Sequence, residues 1–234
     1  IAIPINGLIW MGSHDRMLAR IDEKIEAGFR CIKLKIGGIR FDEEMNLINH
    51  IRERYATEEL ELRLDANGSF TPSDALCNLR ALAPYGIHSI EQPIKAGQTE
   101  AMAEICRKSP IPVALDEELI GCRDTKSKIA LLDSIKPQYI ILKPSLCGGF
   151  AASEEWAALA CERGIGWWAT SALESDIGLN AIAQWCGSMN TKIPQGLGTG
   201  RLYVNNITSP LRQIGDGLRY DPEGVWELPE MEWK

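Results

Sequence analysis

The 234-residue sequence predicts an α/β fold, namely a parallel TIM-like barrel of the (β/α)7β type. Short apolar runs of strand length alternate with longer segments of helical period, and this alternation is typical of parallel strands joined by helices. About eight such runs and seven helical segments fit a closed barrel better than an open sheet. Hydrophobic residues make up 45% of the chain, which is enough to bury one sizeable core, so we expect one main domain.

The predicted strands are short, and each except the last is followed by a helix. We place strands at residues 3–10, 30–36, 61–65, 87–91, 112–116, 138–143, 165–169 and 192–196. The helices between them are placed at residues 15–27, 42–55, 72–82, 100–108, 124–134, 150–163 and 175–186. No helical period follows residue 197, so we assign residues 1–210 to the barrel and residues 211–234 to a separate C-terminal segment.

Short polar residues and glycines mark several of the predicted helix ends. Thr71 precedes Pro72 and is predicted to cap a helix N-terminus, and Ser13 and Ser153 are further candidate caps. Helix termination is predicted at three glycines that precede strands, Gly28, Gly86 and Gly164.

The charge and cysteine content exclude several classes of partner. The net charge is −7, and no cluster of lysine or arginine could follow a nucleic-acid backbone or an anionic membrane surface. The seven cysteines are odd in number and show no CxxC spacing, which indicates reduced thiols in the cytoplasm. No apolar run is long enough to span a bilayer. The chain begins inside an apolar segment without an initiator Met, so we interpret it as a fragment of a longer protein.

Charged residues recur at the ends of the predicted strands. Lys35, Asp65, Glu91, Asp116 and Lys143 each occupy the last position or two of a strand, and in a parallel barrel these positions face one mouth, where active sites lie. The three carboxylates are 26 and 25 residues apart (91 − 65 and 116 − 91), which is about one βα unit each. Three consecutive strands would therefore each place one carboxylate in the same small volume.

Three converging carboxylates would raise one another's pKa unless a cation lay between them. Ligands that are all oxygen favour Mg²⁺, or Mn²⁺, over zinc. The alternative is that acids at strand ends are solvated loop residues or helix caps. Three of them in consecutive units, with lysines on flanking strands, favour the metal site.

The strand at residues 31–36 carries two lysines on one face. A period of two places Lys33 and Lys35 together and turns the apolar residues to the other face, which in a barrel packs against helices. In an isolated hairpin the lysines would instead lie in water. Inside a barrel, burial beside a second ammonium should depress a lysine pKa toward neutrality and make a general base. Lys143 would face this pair across the mouth, and Arg63 would lie below Asp65 and balance the acids.

The segments KLK, LDANGSF, IEQP, ALDEEL and ILKPSLCGG, in this order, resemble the muconate lactonizing enzyme branch of the enolase superfamily. The resemblance covers nearly the whole chain. It implies that Asp65, Glu91 and Asp116 bind Mg²⁺, that Lys35 is the base of the Lys-x-Lys motif, with Lys33 also in the catalytic set, and that Lys143 is the opposing lysine. The N-terminal capping domain of this family is absent from the sequence, and residues 217–226 are the candidate segment that would pack against it.

Three further segments, PINGLIWMG, SALESDIGLNAIAQ and GLGTGRLY, narrow the resemblance. They are similar to members that dehydrate a cyclohexadiene carboxylate bearing a succinyl chain, a step of menaquinone biosynthesis. Lys35 would remove the α-proton and return it to the departing hydroxide on the same face. Ser171, or the backbone amides at the start of the following helix, would receive the succinyl carboxylate. Asn67 and Thr199 are the other candidate substrate contacts. An N-acyl amino acid racemase or dipeptide epimerase, or a non-catalytic barrel with internal ion pairs, are the alternatives.

Overall fold

The structure, a computed structural model, describes residues 2–228. Seven strands form a parallel sheet in chain order, and the predicted alternation of strands and helices is confirmed. The strands are β2 (Gly7–Ile9), β3 (Cys31–Lys35), β4 (Glu61–Asp65), β5 (Ser89–Glu91), β6 (Val113–Leu115), β7 (Tyr139–Leu142) and β8 (Gly166–Ala169). The helices are α1 (His14–Glu26), α2 (Phe41–Arg52), α3 (Pro72–Leu82), α4 (Thr99–Lys108), α5 (Thr125–Ile135), α6 (Gly149–Cys161) and α7 (Asp176–Ser188).

The ring of strands closes through a short segment where the eighth strand was predicted. Gln195 N–H donates to the Pro4 carbonyl at 2.8 Å, and Asn6 N–H donates to the Gln195 carbonyl at 3.0 Å. On the other side, Gly196 N–H donates to the Ala169 carbonyl at 2.8 Å. The predicted strand at residues 192–196 is therefore reduced to two bridging residues. Gly196 suits this position because a Cβ there would lie 2.2 Å from Thr170 Oγ1.

The predicted first strand, residues 3–10, divides into two strands that belong to different sheets. Its first part, β1 (Ala2–Pro4), pairs with β10 (Gly217–Tyr220), which in turn pairs with β9 (Leu211–Ile214), all antiparallel. The chain changes partners between them, because Ile5 N–H bonds Asp216 and Asn6 N–H bonds Gln195. The C-terminal segment thus packs against the start of the chain, and its last six residues, 229–234, lie outside the described residues.

The core lies between the barrel wall and the surrounding helices. On β3, Ile32 and Leu34 are fully buried and point outward, and Leu62 and Leu64 do the same on β4. Met17 and Ile21 on α1, with Leu47, Ile48 and Ile51 on α2, bury the facing helix stripes in the same hydrophobic cluster. Since the outward positions supply the core, the inward positions of the strands are free to carry charged residues.

The predicted helix ends are confirmed in part. Thr71 Oγ1 accepts a hydrogen bond from Asp74 N–H, and α3 begins at Pro72 as expected. Ser13 precedes α1 but makes no capping hydrogen bond through its side chain. The expectation for Ser153 is wrong, because it lies within α6 and its hydroxyl donates to the Gly149 carbonyl. The predicted terminating glycines all adopt positive φ, at Gly28, Gly86 and Gly164.

All seven cysteines carry free thiols. None of the helices described for residues 2–228 has the length and apolar character needed to cross a membrane.

Candidate active site

A cavity of about 250 Å³ opens at the carboxyl ends of the barrel strands. One part of its wall carries charged and amide side chains from the ends of β3, β4 and β7, namely Lys33, Lys35, Asp65, Asn67 and Lys143. Another part carries uncharged polar groups from the segments around the point where the barrel closes, namely Asn6, Thr170, Ser171 and Thr199. The aromatic and apolar lining comes from Leu8, Trp10, Leu146 and Leu173.

Lys33 lies between two of the predicted metal ligands. Its Nζ is 2.8 Å from Asp65 Oδ2 and 2.6 Å from Glu91 Oε2, and all three side chains are buried. Burial by itself lowers the pKa of Lys33, but the charges of Asp65 and Glu91 outweigh it and raise the pKa above its usual value. The expectation of a depressed lysine pKa is therefore wrong for Lys33, because its nearest charged partners are carboxylates.

Lys35, at the end of β3, bonds groups at the end of β4. Its Nζ is 2.9 Å from Asp65 Oδ2 and 2.5 Å from Asn67 Oδ1. The Trp10 ring also contacts it, with 5.0 Å from Nζ to the ring centroid, a geometry that favours a cation. Trp10 was not singled out from the sequence as a site residue, since an isolated aromatic residue after a strand carries no local sign of this contact.

Lys143 follows β7 and forms an ion pair with Asp116 Oδ2. Burial lowers the pKa of Lys143, but the adjacent Asp116 charge raises it above its ordinary value. Lys143 and Lys35 line the same cavity and approach it from different strands, as predicted.

The three carboxylates influence one another electrostatically. Burial raises the pKa of Glu91 well above its usual value, and the charges of Asp65 and Asp116 raise it further against the opposing effect of Lys33. The pKa of Asp65 is depressed although burial opposes this, because the charges of Lys33 and Lys35 dominate. In the described part of the chain, however, no three His, Cys, Asp or Glu side chains lie close enough together to hold a metal ion. Lysine ammonium groups instead pair with each carboxylate.

The predicted substrate contacts have different surroundings. Asn67 bonds Lys35 through Oδ1, and its Nδ2 donates to Glu117 Oε1 at 3.0 Å. The Ser171 hydroxyl donates to Glu174 Oε2 at 2.6 Å and accepts from Leu173 N–H at 2.8 Å.

Thr199 is buried, and its hydroxyl oxygen has no hydrogen-bond partner. Sequence reasoning missed Glu117, which bonds Asn67 from a segment 50 residues away, and Glu174, which bonds Ser171 within the same loop.

Arg63 takes no part in this network. It is buried at the opposite end of the barrel, where its Nε donates to Glu61 Oε1 at 2.7 Å and Nη1 donates to the Pro194 carbonyl at 2.8 Å. The guanidinium carbon lies 4.3 Å from the centroid of the Trp168 ring. The expectation that Arg63 balances the metal-site acids is wrong, since Glu61 is the carboxylate it bonds.

The sequence and the fold both match known proteins. The profile of the enolase C-terminal domain-like family matches residues 16–228. The chain is 54% identical over 213 residues to an o-succinylbenzoate synthase of Desulfotalea psychrophila. This match covers 91% of this chain and 58% of that protein. It is 28% identical to an N-succinylamino acid racemase of an Amycolatopsis species, over 94% of this chain and 59% of the relative.

Solved structures give the same result. The crystal structure of MenC from Desulfotalea psychrophila superposes with a TM-score of 0.87 at 51% identity, covering 96% of this chain and 61% of that one. A muconate cycloisomerase variant, 22% identical, matches with a TM-score of 0.81 and shares the fold. The chain thus spans about 60% of the length of the relatives it matches.

Proposed function

The chain belongs to the enolase C-terminal domain-like family, and from this premise we propose that it carries the catalytic barrel of an o-succinylbenzoate synthase. The reaction is the syn dehydration of 2-succinyl-6-hydroxy-2,4-cyclohexadiene-1-carboxylate, a step of menaquinone biosynthesis. The observation that carries the proposal is the placement of Lys35 and Lys143 in one cavity, next to the carboxylates that they bond.

We propose that Asp65, Glu91 and Asp116 hold a divalent cation, Mg²⁺ or Mn²⁺. The donor set fits, because three buried carboxylates at the ends of consecutive strands offer only hard oxygen ligands. Lys33 and Lys143 would each release a carboxylate oxygen for the ion, and the repulsion that raises the pKa of Glu91 would be relieved. When bound, the cation supplies positive charge for the substrate carboxylate and for the dianion formed on proton removal.

The charges of the site suit a dianionic substrate. While all three lysines are protonated, their charges balance those of the three carboxylates, Lys33, Lys35 and Lys143 with Asp65, Glu91 and Asp116. Lys35 must lose its proton before it can act as a base, so the reactive site carries one positive charge fewer. A divalent cation adds two positive charges, and the two carboxylates of the proposed substrate bring two negative charges. Burial makes this balance matter, since uncompensated charge is costly away from water.

Lys35 is proposed as the base. Its position at the rim of the network lets Nζ leave Asp65 and Asn67 and approach a ligand in the cavity. It removes the α-proton, and the resulting ammonium returns that proton to the departing hydroxide on the same face, so water leaves and the ring becomes aromatic. Lys143 holds negative charge from the other side, and Lys33 keeps Asp65 and Glu91 in place.

A second candidate is racemisation of N-succinyl amino acids, which the placement of Lys35 and Lys143 on a single cavity also favours. A racemase needs a proton donor and a proton acceptor on opposite faces, whereas the dehydration needs only one lysine for proton transfer. Lys143→Arg should therefore retain part of a dehydratase activity and abolish a racemase activity, because arginine stays protonated.

The test is to supply the purified protein and Mg²⁺ with each substrate in parallel. We expect the protein to form o-succinylbenzoate, measured by liquid chromatography, and Lys143→Arg to retain part of this dehydratase activity. Interconversion of N-succinyl amino acid enantiomers without dehydration would replace the first proposal by the second. If Lys35→Arg lost neither activity, both proposals would be excluded, because both use Lys35 for proton transfer.

The cellular compartment of the protein and the contacts of its C-terminal residues are also proposals. The seven free thiols support a reducing compartment, the cytoplasm. Residues 211–234 are proposed to contact the portion of the relatives' length that this chain does not span, because β9 and β10 extend the sheet that starts with β1.

A further inference from the structure

Two buried polar side chains on the cavity wall lack hydrogen-bond partners. Asn6 is 2% exposed and Thr199 is 4% exposed, and neither Asn6 Oδ1 nor Thr199 Oγ1 has a partner. Both residues line the cavity that holds Lys35 and Lys143. A buried amide or hydroxyl without a partner is costly, so each of these groups favours a ligand that can bond it.

The two residues come from neighbouring segments at the closure of the barrel. Asn6 follows β1 at the point where the chain passes to β2, and its N–H bonds Gln195. A Cβ at Gly198 would lie 3.1 Å from the Asn6 carbonyl oxygen, so the loop that carries Thr199 packs directly on Asn6. No lysine or arginine belongs to these two segments, residues 5–6 and 195–200, which end before Arg201.

The other hydroxyls of this wall are already engaged. Thr170 Oγ1 donates to the Gly196 carbonyl at 3.0 Å. Ser171 gives its hydrogen to Glu174 and accepts from Leu173 N–H. The Ser171 hydroxyl could reach a substrate only after leaving Glu174, which makes it a poor receptor for a carboxylate.

We propose that Asn6 and Thr199 form the subsite that binds the terminal carboxylate of the substrate's succinyl chain. The assignment rests on the proposed function for its substrate, and it moves the role expected of Ser171 to two other residues. The Thr199 hydroxyl donates to one carboxylate oxygen. The Asn6 amide donates to the other, since rotation about its last bond exchanges its oxygen and NH₂ group.

The geometry of the cavity gives this subsite its use. The α-proton of the substrate must lie beside Lys35, and the chain that carries the second carboxylate must then extend along the remaining wall. Neutral donors there accept an anion without competing with the lysine and metal charges for the ring carboxylate. Hydrogen bonds to a charged group are stronger than neutral ones, so two donors suffice to orient the chain.

The experiment compares two ligands that differ only in the terminal carboxylate. o-Succinylbenzoate and 2-propanoylbenzoate are titrated by calorimetry, with Mg²⁺ present, into the unaltered protein and into Asn6→Ala and Thr199→Val. We expect each substitution to weaken the binding of o-succinylbenzoate by roughly 10- to 100-fold and to leave the binding of 2-propanoylbenzoate unchanged. Thr199→Ser, which keeps the hydroxyl, should retain most of the affinity.

A matched control removes an equivalent hydroxyl elsewhere. Thr191 Oγ1 is also buried without a partner but does not line the cavity, so Thr191→Val should alter neither affinity. The unliganded Thr199→Val protein should melt at or above the temperature of the unaltered protein, because the hydroxyl stabilises nothing in the free chain. Equal losses for both ligands, no loss for either, or a lower melting temperature in Thr199→Val would overturn the subsite.

Failure of the proposed function gives a different result. If the unaltered protein does not bind o-succinylbenzoate, the dehydratase proposal is wrong, and the comparison is repeated with N-succinyl-L-phenylalanine and N-propanoyl-L-phenylalanine. Loss of N-succinyl binding alone in Thr199→Val would then retain the subsite for a racemase. Absence of any difference between this second pair of ligands would overturn the subsite as well.

Discussion

The two ends of the barrel interior both contain buried charge, but they use it differently. Arg63 and Asp65 are two residues apart on β4, and both point inward. At the amino end, Arg63 bonds Glu61 and a backbone carbonyl and stacks on Trp168. At the carboxyl end, Asp65 shares two lysines next to an open cavity.

The difference between the ends shows which property marks a functional site. Buried charge alone marks neither end, because an arginine held between a carboxylate, a carbonyl and an aromatic ring serves packing. The carboxyl end differs because its charges are mutually coupled, face a cavity and can exchange partners with a ligand. Substitutions at the two ends should therefore separate loss of activity from loss of stability.

The largest effect is expected for Lys35→Arg. The arginine remains protonated and cannot remove the α-proton, so we expect kcat to fall on the order of 10⁴-fold. The free energy of unfolding should change little, because the cation next to Asp65 is retained. Steady-state kinetics and urea unfolding measure the two quantities, and Lys108→Arg, an exposed lysine on α4, is the matched control. Comparable activity in both variants would contradict the proposed base.

Arg63→Ala should show the opposite pattern. It removes the partner of Glu61 and the stacking on Trp168, and it leaves a space inside the barrel. We expect the free energy of unfolding to fall by about 2–3 kcal/mol, with kcat of the folded enzyme within a few-fold of normal. Exposed Arg80→Ala on α3 is the control and should change stability by less than about 0.5 kcal/mol. A collapse of kcat with normal stability would place Arg63 in the site.

A divalent cation should stabilise the protein by binding the carboxylates at the carboxyl end of the barrel. At a Mg²⁺ concentration of 100 times Kd, binding to the folded state adds about 2.7 kcal/mol to the free energy of unfolding. Glu91→Gln should lose most of this gain, whereas Asp133→Asn, an exposed acid paired with Arg163, should keep it. Thermal unfolding with Mg²⁺ and after chelation measures the difference. An equal gain in both variants would indicate general surface binding.

Much of the fold and most of the charged site could be predicted because the signals are local. Each of Lys35, Asp65 and Glu91 ends a short strand whose outward positions are apolar, and a period of two decides that Lys33 and Lys35 share a face. The pairing of β1 with β10 joins residues that are more than two hundred positions apart, and no local pattern encodes it.

The site features that escaped prediction depend on irregular segments. Asn6 becomes a cavity residue because the chain changes sheets around it, which the continuous apolar run did not indicate. Glu174 engages Ser171 across a loop, so the hydroxyl that the motif suggested is committed to a neighbour. The pKa of Lys33 depends on which charge lies nearest, and that is a property of three strands in register rather than of one.

The smallest expected effect tests whether the scaffold outside the barrel interior can be weakened without disturbing the site. Thr71 caps α3, and the loop before it carries Asn67. Two backbone hydrogen bonds hold this loop independently of the cap, Gly68 N–H to Gln92 at 2.7 Å and Phe70 N–H to Pro93 at 3.0 Å.

Thr71→Ala should therefore lower the free energy of unfolding by about 1 kcal/mol and leave kcat unchanged. Ser13→Ala is the matched control, because Ser13 precedes α1 without a capping bond and its loss should cost less than about 0.5 kcal/mol. Urea unfolding and steady-state kinetics on both variants measure the effects. A lower kcat of the folded Thr71→Ala enzyme would mean that the cap helps position Asn67. The Asn67 amide bonds Lys35, so any shift of the loop reaches the base directly.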